Sequence, residues 1–194
     1  DFAAKRGNGT YLAQACARLH AEGIEFRLLV VGSENTGNTA RGSIAEKIAR
    51  IAKDSGFADK LIMPGRIPHD AVEGYYDLID IAPFPRKPQP VTEMVSPMKP
   101  LEALAMKKAV LVSSVQALTE MVQDGQTGLV FEKGNLDSLT DALARLIADP
   151  ALRQRLGEAG RKWVEANRSW RRTAGLAKQV IDKLVASPQE KPSP

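Results

Sequence analysis

Cysteine is nearly absent. Cys16 stands alone in 194 residues, which excludes an internal disulfide and a multi-cysteine zinc site. Histidine is almost as scarce: His20 falls in a helical stretch and His69 in a polar turn, and neither has a metal-ligand partner at useful spacing. No apolar run approaches the roughly 20 residues of a membrane-spanning helix. The opening residues do not read as a signal peptide, and a reducing, cytosolic setting is the expectation. Aromatics make up 5% of the chain, too few to interleave with its scattered basic residues as a nucleic-acid surface requires. There is no GKS or GKT, hence no P-loop, and the GNG of Gly7 to Gly9 follows no strand and lacks a third glycine. No Ser-His-Asp or Cys-His arrangement can be assembled. Neither a metal nor a cofactor is expected.

What is present is ordinary for a soluble α/β protein, with 43% hydrophobic and 26% charged residues. The net charge of +4 is read first as solvated surface, and second as attraction to phosphates on a ligand or on an anionic membrane. The length suits one compact domain that buries roughly 70% of its unfolded surface. Residues 1–186 are expected to form it. The last eight residues, SPQEKPSP, are too poor in apolar groups to order themselves. The first residue is Asp1 rather than Met, so a piece of a longer protein is expected.

Two kinds of segment alternate along the chain. TYLAQACARLHAEG carries Leu12, Ala15, Cys16 and Leu19 at helical spacing, and FRLLVVGS (26–33) follows as a short, partly β-branched strand. SIAEKIARIAKDSG places Ile44, Ile48 and Ile51 on one helical face, with Ser43 and Glu46 set as a capping box. Strands are then expected at 60–66, 81–85, 108–114 and 127–132. Helices are expected at HDAVEGYYDLID, at PMKPLEALAMK from near Pro97, and at LTEMVQDG. After Glu132 the pattern is wholly helical, in three successive helices capped by Asn135, Asp149 and Ser169. Strands and helices in this order imply a doubly wound, Rossmann-like parallel sheet with helices on both faces and C-terminal helices beyond it.

Ligands of such sheets bind outside the carboxyl ends of the strands. There the chain places Gly32 and Ser33, Gly65 and Arg66, and then Arg86 and Lys87 before a long loop to Lys99. Glycine turns let a ligand approach the backbone, and four cations at one edge point to a phosphate-bearing ligand.

The segment PVTEMVSPMKPLEALAMKKAVLVSS, from Pro90 to Ser114, is the most informative. It resembles the donor-binding signature of the group 1 retaining glycosyltransferases, which have two Rossmann-like domains. LLVVGS, IMPGRIPHDAVEGYYDLIDIAPFP and the stretch from LTEMVQDG to RKWV match the same family in the same order. The resemblance implies the C-terminal half of such an enzyme. That half binds a nucleoside-diphosphate sugar without metal, while an N-terminal domain absent from this chain supplies the acceptor site. It further implies a bacterial, cytoplasmic enzyme of surface polysaccharide or glycolipid synthesis, with the inner face of the membrane and an unnamed acceptor as its surroundings.

By this resemblance Glu102 accepts both ribose hydroxyls of the donor, a task suited to a carboxylate. The Val95 and Ser96 amides face its phosphates or sugar at a helix N-terminus. Lys99 either adds charge there or pairs with Glu102. Base choice falls to backbone near Gly65, Arg66 and Ile67. The family sets a second glutamate eight positions before the first. Here Met94 has that place and Glu93 stands nine before, so either the loop accommodates one residue or Glu93 is not equivalent. Lys5 and Arg6 correspond to the family's cations that neutralise the leaving diphosphate, a role fixed positive charge performs without metal. An epimerase or phosphorylase of the same architecture, and a doubly wound interaction domain without a nucleotide site, are the alternatives.

Overall fold

A computed structural model describes residues 9–32 and 43–186. Its five strands are β1 (Leu28–Val31), β2 (Leu61–Gly65), β3 (Ile81–Phe84), β4 (Ala109–Ser113) and β5 (Leu129–Phe131). Each expected strand is present and every strand pair is parallel. Hydrogen bonding gathers them into two groups rather than the one sheet expected, β1 with β2 and β3-β4-β5.

The helices are α1 (Gly9–Ala21), α2 (Ile44–Asp54), α3 (Val72–Asp77), α4 (Pro90–Met94), α5 (Lys99–Ala105), α6 (Gln116–Thr119), α7 (Leu136–Ala148), α8 (Pro150–Asn167) and α9 (Trp170–Ala186). The Ser43–Glu46 capping box forms as expected. Asn135 caps α7 and Asp149 caps α8 through their side chains. Three expectations change. The helix expected across 69–80 divides into a 3-10 turn at His69–Ala71 and the short α3. The helix expected from Leu118 to Gly125 starts earlier and stops at Thr119. Beyond Thr119 the backbone turns, and the Asp124 carboxylate accepts the Val130 amide at 2.8 Å. That bond uses the Asp side chain to fix a turn, which competes with helix. The third is α4, a one-turn helix inside what reads as loop.

Strand β4 organises the core, and all five of its residues are buried. Ala109 and Leu111 join Leu129, Phe131 and the apolar faces of α1, α7 and α8. Val110 and Val112 point the other way, into a cluster with Ala103 and Leu104 of α5, Leu118 and Met121. A strand covered on both faces has no polar side to alternate with, hence the apolar run AVLV (109–112). A third cluster of Cys16, Leu28, Ala52 and Phe57 supports β1 and β2. Burial pushes the Cys16 thiol up to about 12, so it is packing material rather than a nucleophile.

Helix α8 lies against this framework through two glycines. A Cβ on Gly157 would stand 2.1 Å from the Lys107 carbonyl oxygen, and one on Gly160 would stand 2.5 Å from Leu104 Cδ2. The close approach fixes the C-terminal end of α5, the helix that carries Glu102.

Candidate functional site

The carboxyl edge of the strands is built first from backbone. Gly32 and Gly65 both lie at positive φ, +123° and +77°, where a side chain is strained. The Gly32 amide donates to the Gly65 carbonyl at 2.8 Å, which ties the ends of β1 and β2 together. Among the described residues, a Cβ on either glycine would meet nothing within 4 Å. Arg66 is exposed and Ile67 half-buried just beyond it.

Strand β3 runs into a loop, residues 85–98, that is fastened at both ends. The Arg86 amide donates to Ser113 Oγ on β4 at 3.1 Å, and its guanidinium donates to the carbonyls of Val95 at 2.6 Å and Thr92 at 3.4 Å. Thr92 is fully buried. Its hydroxyl accepts the Gln89 amide and reaches the Lys87 and Gln89 carbonyls, so α4 is closed on itself. Glu93 accepts the Gln116 amide at 2.7 Å and Lys133 Nζ at 2.6 Å, which binds α4 to the turn after β4 and the turn after β5. The Lys133 hydrogen bond, then the Gln116 amide, hold the Glu93 carboxyl below its ordinary range. The Val95 amide donates to the Val91 carbonyl at 3.1 Å.

Helix α5 follows, with Pro100 in its first turn, where a missing N–H costs nothing. Glu102 sits in that turn with its side chain exposed, while Pro100, Ala103 and Leu104 face inward. The nearest polar neighbour of its carboxylate is Tyr76 on α3, whose hydroxyl stands 3.3 Å from Glu102 Oε2 and 3.5 Å from the Lys99 carbonyl. Burial, and then the charge of Glu102, raise the Tyr76 phenol above its usual value, so it remains a donor.

Of the residues singled out from sequence, Gly32, Gly65 and Arg66 therefore lie together at the edge of β1 and β2. Val95, Ser96, Lys99 and Glu102 follow one another where the loop enters α5. Lys99 forms no ion pair with Glu102. Arg86 is engaged by loop carbonyls rather than held out toward a ligand. Glu93 is held by an amide and an ammonium, and the Val95 amide caps α4. Lys5, Arg6 and Ser33 lie outside the described residues. Among those described, no three His, Cys, Asp or Glu side chains form a metal-holding group. Tyr76 and Lys133 escape a reading of sequence, since each meets its partner across 26 and 40 positions with no local spacing to mark it.

The family described as Glycosyl transferases group 1 matches residues 4–163. One relative is the GDP-mannose-dependent α-(1-6)-phosphatidylinositol monomannoside mannosyltransferase of Mycolicibacterium smegmatis. It is 31% identical over 148 residues, which cover 75% of this chain and 39% of the relative. Sucrose-phosphate synthase from Thermosynechococcus elongatus superposes with a TM-score of 0.78 at 27% identity, over 95% of this chain and 44% of that one. An Anabaena protein solved in complex with UDP superposes with a TM-score of 0.73 at 15% identity, over 91% of this chain and 44% of that one. The chain thus spans less than half the length of each. These matches cover the strand edge, the fastened loop and α5 together, and the chain belongs to the group 1 glycosyl transferases.

Proposed function

We propose that this chain is the donor half of a retaining glycosyltransferase that moves a sugar from a nucleoside diphosphate to an acceptor. Residues 1–186 form the donor-binding unit. The observation that carries this reading is Glu102: a carboxylate exposed to solvent in the first turn of α5. A carboxylate accepts hydrogen bonds only, so it suits two adjacent hydroxyls, as on a ribose. The glycines at the ends of β1 and β2 admit the nucleotide to the backbone, with Arg66 and Ile67 beside the base. Past the bonded Val95 amide, the Ser96 amide and Lys99 meet the phosphates or sugar. The complex of the Anabaena protein with UDP supports a nucleoside diphosphate as the ligand class.

Departure of the diphosphate needs fixed positive charge, which we assign to Lys5 and Arg6. Glu93 retains a proposed sugar contact, which its carboxylate has acceptor capacity to make beside Gln116 and Lys133. The acceptor site belongs to an N-terminal domain, which we place against α9. That helix has Trp170 at 79%, Leu184 at 72% and Val185 at 81% exposure, an apolar stripe of the kind that marks an interaction surface. No helix among the described residues is long and apolar enough to cross a membrane. A polysaccharide acceptor, or a lipid-linked one such as the phosphatidylinositol monomannoside in the mannosyltransferase relative's name, sets the proposed reaction in the cytoplasm beside the membrane's inner face.

Titration of UDP, GDP and ADP against the 194-residue chain, followed by thermal unfolding, tests the reading. At least one nucleotide raises Tm, and Glu102→Ala abolishes most of that rise while leaving the unliganded Tm close to its original value. No shift with any of the three contradicts a donor site. The same preparation transfers no sugar, since it lacks the acceptor half; turnover by it alone contradicts the division of labour.

A further inference from the structure

The Glu102 carboxylate has freedom it must lose before it can bind two hydroxyls at once. It is exposed, in the first turn of a seven-residue helix. Lys99, the nearest cation in sequence, does not pair with it. What reaches it is one hydroxyl from another element. Tyr76 stands on α3 and packs its ring against the cluster of Ala82, Ala103, Leu104 and Val110, so the phenol oxygen is anchored to the same core as α5. Its hydroxyl lies 3.3 Å from Glu102 Oε2 and 3.5 Å from the carbonyl of Lys99, in the first turn of the same helix.

A phenol has one hydrogen to give, and the carboxylate is both the nearer and the more strongly accepting partner. One donated bond leaves Oε1 wholly available, and a carboxylate has room for about four hydrogen bonds. Two hydroxyls can therefore join without displacing the tyrosine.

We propose that Tyr76 is a positioning residue for nucleotide binding, which holds the Glu102 carboxylate in the rotamer that accepts the two hydroxyls of a donor ribose. The inference rests on the donor reading of Glu102 given above. Binding strength gained this way comes from a carboxylate already ordered before the ligand arrives. Tyr76→Phe removes that one bond and retains the ring that fills the core.

The test compares UDP, GDP and ADP with their 2′,3′-dideoxy counterparts, by calorimetric titration of the wild-type chain, Tyr76→Phe, Glu102→Gln and the double variant. The unliganded Tm of each variant is measured alongside, to separate loss of binding from loss of folding. For whichever nucleotide binds the wild type, Tyr76→Phe weakens the ribonucleotide about tenfold, the scale of one hydrogen bond to a charged group. It leaves the dideoxynucleotide within about twofold. The double variant binds no worse than Glu102→Gln, because the tyrosine acts through that carboxylate. An equal loss for ribo- and dideoxynucleotide assigns Tyr76 a general structural role and overturns the inference. So does a loss with Glu102→Gln that Tyr76→Phe fails to share, which leaves the donor reading standing. If Glu102→Gln costs nothing, or no nucleotide binds the wild type, the donor reading itself fails and takes the inference with it.

Discussion

Glu93 lies between two donors, the Gln116 amide and the Lys133 ammonium, and these hold its carboxyl below the ordinary range. A depressed carboxyl stabilises the fold where it is ionised, and that contribution is lost as pH falls through its folded-state value. Glu93→Gln therefore lowers Tm at neutral pH. The difference from wild type begins to shrink as pH falls past about 4.3, the ordinary glutamate value, and is lost only below the lowered folded-state value. A Tm difference that stays constant across that range would show that the carboxylate's charge does not matter to the attachment. The same side chain explains why a site is harder to read from sequence than a fold. The register of Glu93 and Glu102 is visible in the chain, but the partners of Glu93 lie 23 and 40 positions downstream. Arg86 behaves likewise. Its charge suggests a phosphate, whereas its guanidinium binds two carbonyls of the loop that follows it.

Helix α5 carries Glu102, and the way the helix ends is a second place where the sequence and the backbone disagree. The Lys107 amide donates to the Leu104 carbonyl and the Lys108 amide to the Ala103 carbonyl. This paired closure places Lys107 at φ +56°, the one non-glycine at positive φ among the described residues. A left-handed conformation costs a side-chain-bearing residue about 1–2 kcal/mol, of which glycine returns part as unfolded-state entropy. Lys107→Gly is expected to stabilise the chain by about 0.5–1 kcal/mol in urea unfolding, at unchanged m. Destabilisation would mean that the lysine side chain contributes more than the strain removes. At this scale the sequence is informative where one rule dominates. Strand β4 is legible because burial on both faces leaves only apolar residues, and α2 and α7 because their caps are local. Helix α4 is not, because its single turn depends on Gln89, Thr92 and the Lys87 carbonyl closing a proline-flanked loop. The gathering of five parallel strands into two hydrogen-bonded groups is likewise a matter of pairing, which no periodicity encodes.

The described residues combine a buried three-stranded core with an edge of backbone glycines, and the proposed chemistry belongs to that edge. The core cluster on the Val110 and Val112 side of β4 takes in residues of both α5 and α3, and the contact between Tyr76 and Glu102 is the point where that packing reaches solvent. The fastened loop leads from the end of β3 to the entry of α5. The exposed apolar stripe of α9 is the face we propose for the remainder of a protein whose relatives are about twice as long as this chain. All of this rests on the nucleotide lying across that edge with its ribose at Glu102. A crystal structure of the chain with the nucleoside diphosphate that raises its Tm most measures this directly. The account predicts both ribose hydroxyls within hydrogen-bonding distance of the Glu102 carboxylate, the Tyr76 hydroxyl still in contact with it, and the base beside Gly65 and Ile67. A nucleotide bound elsewhere, or a ribose turned away from Glu102, would contradict it.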